Sequence, residues 1–112
     1  MSVTTETLYP SAVYIVATAE DYFTTADGTP TPQVPDPDGY TWSPGAIKWM
    51  RTDIFNKITE LLGGQISSYP VTSTEMLPGD ILKTVRAWPD QATADAWIAF
   101  CNSQNITVNI IT

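Results

Sequence analysis

The sequence predicts an α+β fold of the ferredoxin-like kind: β-α-β-β-α-β, two helices on one face of an antiparallel sheet, and a long proline-rich insert after the first strand. Three observations carry this. Residues 44–62 and 90–104 repeat apolar side chains at spacings of three and four, the period of a helix face. Residues 12–18, 81–88 and 106–111 are β-branched and aromatic runs that alternate, the period of a strand. Between the first of those strands and the first helix, residues 19–45 hold five of the nine prolines and three of the six glycines. A chain of 112 residues is the usual size of one domain, so residues 1–112 are read as one unit carrying this insert.

Residues 1–11 are polar and extended, an edge strand or a frayed end. In residues 12–18, Val13, Ile15 and Ala17 point one way and Tyr14, Val16 and Thr18 the other, which suits a central strand buried on both faces. The insert cannot continue as helix or inner strand, because proline removes a donor and fixes φ. It carries Asp27, Asp36 and Asp38 among Tyr22, Phe23, Tyr40 and Trp42. Residues 27–39 contain little to bury, so they are expected to be dispensable for folding but not for binding. Ser43 and Pro44 read as N-cap and first residue of a helix whose stripe is Ile47, Met50, Ile54, Ile58 and Leu61, stopped by Gly63-Gly64. Residues 65–72 read as a short edge strand restricted by Pro70, and Leu77-Pro78-Gly79-Asp80 as a turn. In residues 81–88, Leu82, Thr84, Arg86 and Trp88 share a face. Asp90 is the N-cap of the second helix, with Ala94, Trp97, Ile98 and Cys101 as its stripe and Asn105 as a left-handed cap.

Twelve acids against five bases give a net charge of −7. Binding to phosphate backbones or anionic membranes needs clustered cations, so neither nucleic acid nor membrane is an expected partner. No stretch approaches the ~20 apolar residues of a membrane span, and the N-terminus lacks the basic and apolar regions of a secretory signal. The cytoplasm, of a cell or of an infected host, is the expected compartment. There is no histidine, which removes Ser-His-Asp and Cys-His catalysis and most zinc and haem sites. Cys101 is single and reads as a buried thiol. Asp36-Pro37-Asp38-Gly39 lacks the ligand spacing of an EF-hand, and Glu20-Asp21 are adjacent and so diverge. No catalytic residue, metal or cofactor is therefore expected.

Four residues are candidate binding groups. Arg86 and Trp88 lie two apart on one strand face, where a guanidinium and an indole can stack or take a planar anion. Tyr40 and Trp42 offer the rigid aromatic surface that interfaces favour. The run from Arg86 through Trp88-Pro89-Asp90 to Trp97 resembles the strand-to-helix junction of small dimeric α+β-barrel proteins, over the last third of the chain. That group includes cofactor-free monooxygenases of the antibiotic-biosynthesis type, and the resemblance implies a ferredoxin-like fold and a dimer but transfers no catalytic residue. In composition the chain is also similar to small proteins of tailed phages. The expected role is an accessory or structural protein, homo-oligomeric, that binds a protein partner through residues 19–45. The alternative is a small cofactor-independent enzyme with a pocket lined by Tyr14, Trp49 or Trp88.

Overall fold

The computed structural model describes residues 2–43, 48–64 and 71–111. It overturns the ferredoxin-like expectation. Among the described residues there are nine strands in three sheets and only two α-helices, so the molecule is mostly β. The order is β1 (Val3–Tyr9), a 3-10 turn (Ser11–Val13), β2 (Tyr14–Val16), β3 (Tyr22–Thr24), β4 (Pro30–Pro32), β5 (Tyr40–Ser43) and β6 (Lys48–Arg51). Then follow α1 (Thr52–Leu61), β7 (Val71–Leu77), β8 (Ile81–Trp88), α2 (Gln91–Ser103) and β9 (Thr107–Ile111).

The main sheet runs β7-β8-β1-β9, with every neighbouring pair antiparallel. Its two inner strands are β8 and β1, the latter a stretch whose sequence reads as an edge or a frayed end. The alternation is there, but polar side chains hold the buried phase: Thr5, Thr7 and Tyr9 point inward opposite Arg86, Thr84 and Leu82. Those threonines are tolerated because each accepts from an indole. Trp88 Nε1 donates to Thr5 Oγ1 at 2.8 Å and Trp97 Nε1 to Thr7 Oγ1 at 3.1 Å. Helix α2 supplies Trp97, Ala94 and Cys101 to the same layer. It starts where expected, with Asp90 Oδ1 accepting from the Thr93 amide at 2.8 Å, and ends at Asn105 with φ 58°.

Residues 12–18 are not the central strand. Only Tyr14–Val16 are extended, and they lie at the edge of a second sheet, β2-β6-β5. Helix α1 begins at Thr52 rather than at residue 44, because Lys48–Arg51 pair with both β2 and β5. Ser43 closes β5, and the N-cap position falls to Arg51, which makes no side-chain cap bond. Pro44 and Ile47 lie outside the described residues. From Ile54 onward the expected stripe holds at Ile54 and Ile58, but the buried leucine is Leu62 while Leu61 is half-buried, and Gly63 and Gly64 turn the chain at φ 59° and 82°. The two helices do not share one sheet face. α2 packs on β1, β8 and β9, while α1 packs on β5, β6 and α2. Of the strand expected at residues 65–72, residues 65–70 lie outside the described residues, and a seven-residue edge strand runs on from Val71.

The insert is folded, not looped. Sheet β2-β6-β5 carries buried side chains on both of its faces. Tyr14 and Met50 are opposite each other and enter the main core. Trp42 and Trp49, also opposite each other, face the remainder of the insert.

Candidate functional site

The four candidate residues fall into two separate places. Arg86 and Trp88 stay on one face of β8, under α2, and the guanidinium carbon lies 5.8 Å from the Trp88 ring centroid. Trp88 is fully buried, with its ring 5.4 Å from that of Trp97. Burial lowers the Arg86 pKa, against an opposing pull from Tyr9. The Tyr9 hydroxyl is driven up by burial, partly relieved by hydrogen bonds to Thr84 and Thr7. The thiol of Cys101, in the same layer, is pushed up to about 12 by burial. No buried side-chain nitrogen or oxygen among the described residues lacks a hydrogen-bond partner. This layer is a polar seam that joins sheet to helix, and its groups satisfy one another.

Tyr40 and Trp42 lie on β5. The Tyr40 hydroxyl donates to the Ala12 carbonyl at 3.1 Å, tying the insert to the turn after β1. Trp42 is buried, edge-on to Trp49 at 5.0 Å and 67°, and tilted against Tyr22 at 5.9 Å. Both indoles are anchored by the proline-rich stretch. Trp42 Nε1 donates to the Pro30 carbonyl at 3.1 Å, and Trp49 Nε1 to Asp36 Oδ1 at 2.9 Å. Residues 27–39 are therefore not dispensable packing: they provide acceptors for two buried tryptophans.

The β3–β4 hairpin supplies the Pro30 carbonyl, and the stretch that follows it supplies Asp36. The Thr25 amide donates to the Thr29 carbonyl and the Gln33 amide to the Asp21 carbonyl. Hydrogen-bonded pairs alternate in an antiparallel ladder, so Phe23–Thr31 is the bonded pair between them and Pro30 and Pro32 turn outward. The outer edge of the hairpin thus has proline where a further strand would need donors. At its tip the Asp27 carboxylate accepts from the Thr29 amide at 3.1 Å and from the Thr25 hydroxyl. Those bonds hold its pKa below the usual carboxylate range.

Neighbours on a strand face opposite ways. Tyr22 packs on Trp42, so Phe23 points away from the body and is 47% exposed. Val16 at 55% and Val34 at 38% are exposed in the same part of the chain. Half of the six large exposed hydrophobic residues among the described residues thus fall between positions 16 and 34. Sequence reasoning named Phe23 among the insert aromatics but did not single it out. The Tyr22-Phe23 pair holds the signal, since a strand through it must turn one ring inward and one outward.

No three acidic or cysteine side chains among the described residues gather closely enough to hold a metal, and no described helix is long and apolar enough to cross a membrane. The chain matches no protein-family model, no curated protein and no solved structure.

Proposed function

We propose that the protein is a non-enzymatic accessory or structural module that binds a protein partner through its insert and works as a homo-oligomer. The observation that carries this is the outward Phe23 on a hairpin held against Trp42 through Tyr22 and the Pro30 carbonyl, with Asp36 anchoring the segment that follows to Trp49. An aromatic anchor on a preorganised arm loses little conformational entropy on binding. Val16 and Val34, before and after the hairpin, add exposed apolar side chains, and proline at the hairpin edge directs recognition to side chains rather than to strand addition. The buried polar seam under α2 supports the same reading, because its polar side chains are already hydrogen-bonded to one another and to the indoles.

The test places a photo-reactive phenylalanine analogue at position 23, with position 78, in the β7–β8 turn, as control. A discrete adduct from position 23 that is lost in Val34→Asp supports the reading. Phe23→Ala should abolish co-purification of the cross-linked partner while the melting temperature stays within a few degrees. Undiminished binding by Phe23→Ala would overturn the hairpin as the contact surface.

A further inference from the structure

A sheet edge displays unpaired amides and carbonyls, and natural proteins blunt such edges with charge, proline, bulges or short length. This chain does so at most of its edges. β4 turns two prolines outward. β7 carries Glu75 and a register break between Val71 and Ser73. β2 and β5 are only three and four residues long. β9 has none of these devices. It is five residues of TVNII, and no charged residue occurs anywhere after Asp95. Ile110 and Ile111 are 45% and 39% exposed, on opposite faces of the strand.

We propose that β9 pairs antiparallel with β9 of a second copy, joining the two main sheets into one continuous eight-stranded sheet. The proposal rests on the homo-oligomeric part of the reading above and gives it a surface. The strand is complementary to itself. With Asn109 on the two-fold axis, all five residues pair: Asn109 with its own copy, Val108 with Ile110, and Thr107 with Ile111. Val108 and Ile110 share the inner face with Thr7 and Thr5, so two β-branched apolar pairs form on the α2 side. Thr107, Asn109 and Ile111 line the outer face, where the two Asn109 amides meet and can hydrogen-bond.

Charge selects this edge for a second copy. Two chains of −7 repel, and β9 is the long edge where they can meet without bringing charges together. The nearest acid across the ladder is Glu6, opposite Asn109 and already 3.8 Å from Lys83. In the paired sheet the two Glu6 residues lie three strand spacings apart, about 14 Å, beyond the ~8 Å screening length of physiological salt. Pairing through β7 would instead bring the two Glu75 residues onto neighbouring strands.

Asn109 is exposed and faces Glu6 across the β1–β9 ladder, so each charged variant is compared with the parent by melting temperature as well as by sedimentation. Sedimentation velocity should show a dimer for the parent chain. Asn109→Asp and Asn109→Lys should each weaken it roughly fivefold or more, because a charge on a two-fold axis meets its own copy whatever its sign. An equimolar mixture of the two variants should restore the dimer. A foreign strand on β9 would not respond equally to both signs, and equal weakening with rescue excludes it. A dimer indifferent to both substitutions overturns β9 pairing and leaves the homo-oligomer standing on another surface. A parent chain that is monomeric at hundreds of micromolar overturns both, while leaving the Phe23 result unaffected.

Discussion

Thr5 and Thr7 show how a polar side chain can belong to a core. Each lies buried on β1 and accepts from a tryptophan indole that would otherwise be a buried, unsatisfied donor. Thr5→Val keeps the shape and removes the acceptor, so it should cost about 1–3 kcal/mol in urea unfolding. Thr4→Val, one residue along and on the outer face, should fall within about 0.5 kcal/mol of the parent. Equal effects at the two positions would show that the indole bonds carry no weight. Cys101 illustrates the reverse: nothing in its surroundings favours the thiolate, so the thiol stays protonated and inert until the helix opens.

At the scale of elements, β8, α2 and the stripe of α1 could be read directly, because in each the periodicity and the buried phase coincide. β8 alternates half-buried and buried along its whole length, and α2 has Asp90 and Asn105 marking its two ends. β1 could not be read so easily, since its buried phase is threonine and the partners that make threonine acceptable are the two indoles, one on a strand and one on a helix more than eighty residues away. The start of α1 was obscured for a different reason. Trp49 and Met50 fit a helical stripe as well as they fit a strand buried on both faces, and only the pairing with β2 and β5 decides between them. Tyr40 and Trp42 were recognisable as aromatics of the insert, but whether each is anchor or contact depends on the carbonyls and carboxylate that the prolines bring to them. Asp36→Ala should therefore cost about 1–3 kcal/mol by stranding the Trp49 indole. Replacing residues 27–39 with a short Gly/Ser linker should lower the melting temperature by well over 5 °C, read by differential scanning calorimetry. An unchanged melting temperature would mean that both indoles find other acceptors.

For the whole molecule, pH dependence is set by acids that hold their protons more tightly when folded. Cys101 rises from 9.0 to about 12 and Tyr9 rises from 10.0, both through burial. A raised folded-state value contributes stability that is fully present below the unfolded value and is lost as pH climbs past it. The urea midpoint should therefore hold up to about pH 8.5 and fall between about pH 9 and 11, with Cys101→Ala removing part of that slope. Asp53 works at the other end: its bond to Arg51 lowers its pKa below 3.8, so its contribution is present above that value and fades as pH falls through it. A midpoint that is flat to pH 11 would place Cys101 and Tyr9 in contact with water.

The pairing of β1 with β8 and β9 also governs how the chain comes together in time. During synthesis β1 emerges ahead of the other eight described strands, yet the two that flank it, β8 and β9, come after all the others. The segment in between can form its own local structure early, because β3 and β4, and likewise β5 and β6, join neighbours in sequence. In the main sheet only β7 and β8 have that option, and β1 waits, inner threonines exposed to water, until β8 and β9 have been made. Closing so long a loop before any indole reaches its threonine makes nucleation of the sheet the slow step. The waiting strand is largely hydroxylated and carries Glu6, a composition that tolerates exposure where an all-aliphatic strand would aggregate. The threonines that conceal β1 in the sequence also keep it soluble until its partners arrive.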